Sequence, residues 1–288
     1  MDRALIGDNQ FFGINHMSEE RARAQAMRFQ DVSAIIEVLD AAYAEGIKTF
    51  MCTTHERVRE VCDYFRANRT RYPDYRFYPC MPYAHKYANA ATEHGVVGAI
   101  RSFLPEENAL GAVLSGGISL ARKDIEGLAA LLIDAEMKMF WGLDTPVILL
   151  QNVATDFLLG LGFDQAFRIF ADQVRERYQA EPGFITMNAP RLLGVLDKVG
   201  ITDPIICTNI NKLGFRMCGG IAAYEELMTG GHCRLIAMSV FASGALAARP
   251  ALEYVCRFPQ IRSIVFGASN RSHIAQTRQL IEQLTPTS

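Results

Sequence analysis

The chain has 288 residues, half of them hydrophobic and 21% charged, with 22 glycines and 11 prolines, which excludes disorder and fibrous repeats. A formal net charge of -2 without a Lys/Arg-rich run gives no electrostatic footprint for nucleic acid or an anionic membrane. The expected partner is therefore a small-molecule substrate or another protein, with the oligomeric state open. Apolar runs break before the roughly 18 to 20 residues that a bilayer span needs; the run at 145–163 carries Gln151, Asn152 and Asp156. The opening MDRALIGDNQ lacks the basic-then-apolar order of a signal peptide. Seven cysteines without a CxxC pair read as reduced thiols, not as a disulfide framework or zinc knuckle. These features make a cytoplasmic enzyme the expectation.

In chain order, a strand is expected at 4–9, then a helix at 32–45 with Ile35, Val38, Leu39 and Ala42 on one face. A strand at 48–53, a helix at 57–68 and a strand at 76–81 follow. The stretch at about 84–145 resists the alternation and reads as an insertion between strands 3 and 4, with helices at 90–103 and 121–140, a short strand at 110–115 and a Gly116-Gly117 turn. Further on come strands at 146–152, 183–188, 204–209, 234–240 and 263–267, and helices at 164–178, 190–199, 221–228 and 273–284. Eight strands alternating with helices imply a parallel sheet, and in this length an α/β fold of the (β/α)8 TIM-barrel type as one domain over 1–288. Neither GxGxxG after the first strand nor GxxxxGK[ST] occurs, which removes the main support for an open nucleotide-binding sheet.

A barrel gathers its chemistry at the C-terminal ends of its strands. The residues expected there are Asp8, Asn9 and Gln10; Thr53 and His55 beside Cys52; Cys80, Tyr83 and His85; Gln151; Asn188; Cys207, Asn209 and Asn211; Ser243 and Gly244; and Gly267, Ser269 and Asn270. Amides and hydroxyls outnumber carboxylates, which suits an oxygenated or carbonyl-bearing ligand better than a hard divalent cation. Asp8 is the candidate general base, or else the side chain of a strand-end turn. His55 opens a helix, whose dipole disfavours the imidazolium, and is the second acid/base candidate. His16, His55 and His85 follow adjacent strands and form a weak metal set without HxH or HExxH spacing. Lys86 and Lys212 are candidates for a Schiff base or an anion contact. Small residues at Ser243-Gly244 and at 267–270 before the last helix would let a phosphate approach backbone N–H groups.

Four segments resemble the aldo-keto reductases. They are LDAAYAEGIKTF at 39–50, GFITMNAPRLLGVLDKVGI at 183–201, AMSVFASGAL at 237–246, and Gly267-Ala268-Ser269-Asn270 with the helix after it. The resemblance touches most of the chain outside 84–145, and it implies the family's barrel and Asn188 at the amide that holds a nicotinamide carboxamide. The family's catalytic Asp, Tyr, Lys and His are not carried over: the matching positions read Met51, Glu56, Cys80-Met81 and Val153. Its adenosine-phosphate grip reads His273, Gln276 and Thr277, and its stacking tyrosine reads Ile210.

The leading expectation is an enzyme doing lyase- or isomerase-type acid/base chemistry with Asp8 and His55, without hydride transfer, on a small oxygenated, sugar-like or carbonyl substrate that carries a phosphate in one version. The alternatives are an NADPH-dependent aldo-keto-reductase-like oxidoreductase with a rebuilt proton donor (Tyr83, His55 or Glu56) and a non-catalytic ligand-binding barrel. No cofactor is favoured, and NADPH and a divalent metal both stay open.

Overall fold

The computed structural model describes residues 1–14, 18–83, 122–230 and 232–285. Eight parallel strands, β1 (Ala4–Gly7), β2 (Thr49–Thr53), β3 (Arg76–Met81), β4 (Val147–Leu150), β5 (Glu181–Thr186), β6 (Ile205–Asn209), β7 (Arg234–Met238) and β8 (Ile261–Phe266), pair in sequence order. Pairing of β8 with β1 closes the barrel. Ten α-helices lie among the described residues: α1 (Glu19–Arg28), α2 (Val32–Ala44), α3 (Glu56–Ala67), α4 (Arg122–Met137), α5 (Asn152–Leu161), α6 (Gln165–Tyr178), α7 (Ala189–Lys198), α8 (Gly220–Gly230), α9 (Ala248–Cys256) and α10 (Arg271–Leu284). This is the (β/α)8 architecture that the alternation implies. None of the described helices is long and apolar enough to cross a membrane.

Strand side chains alternate between two apolar layers. Leu5, Met51, Tyr78, Leu149, Ile185, Ile205 and Ile236 fill the barrel interior, while Ile6, Phe50, Phe77, Phe184 and Leu235 face the helices. Gly183 of β5 keeps this interior close, because a Cβ there would crowd the Leu149 side chain at 3.1 Å and Ile205 at 3.3 Å. On α2 the buried residues are Ile35, Val38, Leu39 and Ala42, the face given by the 3.6-residue period.

The expected helix at 90–103, strand at 110–115 and Gly116-Gly117 turn lie outside the described residues. The helix expected at 121–140 is α4 followed by one tight turn at Lys138–Phe140. It packs against α6 and β3, the place of the barrel's own third helix. Helices α1, α5 and α9 were not anticipated. In α5 an apolar run continues from β4 and hides the boundary, and α1 has too little apolar surface to show a stripe.

Behind the ends of β5 and β6 lies a polar cluster. The Tyr224 hydroxyl of α8 donates to Met187 O at 2.8 Å, lies 3.2 Å from Thr208 Oγ1 and receives the Ala189 N–H at 3.3 Å. Asp156 of α5 accepts from Thr186 Oγ1 at 2.5 Å and from Met187 N. Burial pushes the Asp156 carboxyl above its ordinary value. Removing a buried hydroxyl from satisfied partners costs about 1–3 kcal/mol. Tyr224→Phe is therefore expected to destabilise the fold by about that amount in urea unfolding, while keeping the native circular dichroism.

Candidate active site

Closing a parallel barrel puts all eight C-terminal strand ends on one face, where side chains from separate strands converge. Asp8, the residue after β1, is only 7% exposed, and its Oδ2 accepts from both the backbone N and the Oγ1 of Thr53 at 2.7 Å. One carboxylate oxygen thus ties the end of β1 to the end of β2. Burial pushes the Asp8 carboxyl above its ordinary value of 3.8, and the Thr53 hydrogen bonds, which favour the anion, oppose that shift without cancelling it.

His55 caps the N-terminus of α3, its Nδ1 accepting the Arg57 N–H at 3.1 Å. An accepting Nδ1 carries no proton, so the neutral ring holds its hydrogen on Nε2. Phe12 stacks on this imidazole with centroids 4.2 Å apart, and Tyr83 meets it edge-on at 5.4 Å. Arg57 lies over Phe12 and donates to the Phe11 and Phe29 carbonyls, fixing the turn after β1. Burial and then the Asp8 charge push the Tyr83 phenol up, with Arg57 acting the other way.

Glu136 belongs to this half of the rim and was missed by sequence reasoning. It is 1% exposed on α4, and its Oε2 accepts from Thr54 Oγ1 and from the Tyr83 N–H at 3.5 Å. A single buried carboxylate therefore joins the turns that carry His55 and Tyr83. A glutamate late in a helix reads as a solvated one, and only the packing of α4 beneath the rim brings it here.

Gln10 is 5% exposed; its Nε2 donates to Gly7 O at 2.8 Å, while its Oε1 has no partner among the described residues. That oxygen lies 2.4 Å from where a Cβ on Gly267 would stand, so a larger residue at 267 would have to displace the Gln10 amide. Asn9 is exposed and Gln151 half-buried at the mouth. Asn188 caps α7 through its Oδ1 on the Arg191 N–H at 3.4 Å, and Asn270 caps α10 through the His273 N–H at 2.9 Å. Three non-glycine residues after β7, Ser239 (φ 54), Ala242 (φ 46) and Ser243 (φ 57), precede Gly244 (φ 94) in left-handed backbone. Each of the three stores about 1–3 kcal/mol of strain. After β8, Arg28 donates to Ser269 O at 2.6 Å, and Arg271 pairs with Glu45 at 2.8 Å.

Several residues expected to contact a ligand are buried, bonded elsewhere or away from the mouth. Cys80 and Cys207 are 4% and 0% exposed in the barrel interior, and burial pushes both thiols up. Neither reaches open space or ionises readily. Cys52 faces the helix layer. Asn209 is 1% exposed, with its amide spent on Met187 Sδ at 3.0 Å and Arg216 O at 3.2 Å. Asn211 is fully buried and closes its own turn onto Leu213 and Phe215. Lys212 is exposed. His16, His85 and Lys86 lie outside the described residues, among which no three His, Cys, Asp or Glu side chains group to hold a metal.

The site is thus the polar mouth of a (β/α)8 barrel, with its titratable groups after β1 to β3 and its small-residue turns after β7 and β8. Among solved structures, aldo-keto reductases share this architecture. A putative aldo-keto reductase from Pseudomonas aeruginosa is 12% identical with a TM-score of 0.61, covering 98% of this chain and 89% of its own. MGS-M4, an aldo-keto reductase from a Medee basin deep-sea metagenome library, is 9% identical at 0.53, covering 99% and 90%. An aldo-keto reductase from Brucella melitensis is 10% identical at 0.53, covering 89% and 87%. A further neighbour, 8% identical at 0.51, was solved as a variant in complex with NADPH. No family model matches the chain, and no curated protein does. At these identities the likeness is one of fold.

The raised Asp8 pKa fixes the sign of a pH effect. A carboxyl that binds its proton more tightly folded than unfolded contributes stability below 3.8, and that stability is lost as pH rises through the folded pKa. In urea titrations across this window, wild type should lose stability relative to Asp8→Asn as pH rises; a difference that is flat or grows with pH would contradict the assignment. Glu136→Gln should leave the chain folded but disturb the Phe12–His55–Tyr83 stack, read as a shift of the His55 Hε1 NMR signal.

Proposed function

We propose that this chain is a nicotinamide-dependent oxidoreductase of the aldo-keto-reductase type, acting on a small carbonyl or alcohol substrate, with its proton donor rebuilt around Asp8. The observation that carries this reading is the buried Asp8 carboxyl, tied to Thr53 and with its pKa pushed up by burial, at the mouth of this particular barrel. The turns after β7 and β8 fit the phosphates of a dinucleotide: Ser243, Gly244, Gly267 and Ser269 bring backbone close without bulk, and Arg28 supplies positive charge beside Ser269. The side-chain amide N–H groups of Asn188, which bond no described residue, suit the carboxamide end. When bound, such a cofactor supplies or accepts a hydride.

The chain's own residues handle the proton. Asp8 in its acid form gives it to the substrate oxygen, and Thr53 holds the carboxyl in place. Tyr83, kept protonated by burial and by Asp8, is a hydrogen-bond donor to the same oxygen. The His55 ring, fixed by its Nδ1 bond and the Phe12 stack, supplies a wall and an Nε2–H donor. The same groups support a second reading, lyase- or isomerase-type proton transfer without hydride, because Met51, Glu56, Met81 and Val153 stand where the family's tetrad would be. Seven free thiols and the absence of a spanning helix among the described residues support action in the cytoplasm.

NADPH fluorescence titration separates the readings. Saturable binding with turnover of an aldehyde or ketone panel is expected, and no binding at millimolar cofactor would sink the hydride reading. Asp8→Asn should lower kcat by about 100-fold or more with cofactor affinity kept, the scale of a lost general acid.

A further inference from the structure

The chain's single tryptophan, Trp141, is 85% exposed. It follows the tight turn at Lys138–Phe140, well away from the rim, and edges a groove of about 930 Å³ between α3, the end of α4 and the end of α6. The walls are held by two clamps. Arg66 of α3 donates to Met139 O at 2.6 Å and Trp141 O at 3.0 Å while pairing with Asp63. Asp134 of α4 accepts from both Arg177 and Tyr178 at the end of α6. These pairs neutralise their own charges. The other two charged lining residues, Arg59 and Lys138, form no ion pair among the described residues.

An exposed indole beside unpaired cations and an apolar floor is the composition of an interface anchor and not of a solvated surface. We propose that this groove docks an acidic peptide segment of a partner protein, with an aromatic or aliphatic side chain against Trp141 and carboxylates on Arg59 and Lys138. Charge selects the occupant. With Asp63 and Asp134 already paired, both charges left over are positive, so an acidic segment gains two ion pairs and a basic one gains none. The open shape suits an extended chain better than a buried metabolite.

Because Trp141 is the only tryptophan, its emission reports this groove alone. The probe is a short synthetic peptide of Glu and Asp flanking a Phe-Leu pair, titrated onto the whole chain, with its Lys-for-acid counterpart and ATP as comparisons. A saturable emission shift with the acidic peptide, weakened about tenfold or more in Arg59→Glu/Lys138→Glu of unchanged circular dichroism, is expected. No shift at millimolar peptide, an equal response to the basic peptide, a response to ATP alone, or binding indifferent to the double variant would each overturn the proposal.

Discussion

The mouth of this barrel is organised by one interaction, the Oδ2 of Asp8 receiving two hydrogen bonds from Thr53. Register brings the two residues close. Gly7 of β1 lies beside Met51 of β2, so the next residue of one strand comes level with the end of the other. Gly7 itself has little room to grow, since a Cβ there would stand 3.2 Å from Val265. A buried carboxylate needs compensation, and here it comes from a backbone N–H and a hydroxyl instead of a cation. Neutral donors hold the group in place without forcing it to stay charged. A fixed position together with a carboxyl pushed up by burial is what the proposed acid/base role requires.

From this contact the two halves of the rim take different roles. The turns after β1, β2 and β3 are locked to one another by Asp8, by the His55 cap with its Phe12 stack, and by Glu136 reaching up from α4. Their side chains are held by packing and hydrogen bonds on several sides, the condition for a preorganised site. The turns after β7 and β8 are built instead from small residues, the first with left-handed backbone and the second with Arg28 on the Ser269 carbonyl.

The fold was legible because period and alternation are local properties. Each strand was placed within a few residues, and the α2 face was identified residue by residue. The rim position of Asp8, His55 and Tyr83 could also be read, since they follow strand ends. Depth could not be read. Cys207 and Asn209 belong to a strand end in sequence but sit inside the barrel or spend their amides on neighbouring turns, because stagger around the closed sheet decides which ends are open. Glu136 and Tyr224 reach the strand ends from helices, a tertiary relation with no pattern in the sequence. A likeness in four segments carried the barrel correctly, while its chemistry has to be argued from the residues present.

The central claim is that Asp8 keeps its proton above the range of an ordinary aspartate. It is tested most directly by following the Asp8 carboxyl carbon by NMR in chain labelled with 13C-aspartate, with Asp8→Asn used to assign the signal. A titration midpoint above 3.8 is predicted. A midpoint at or below that value would make Asp8 a permanently charged structural anchor and contradict its role as the proton donor.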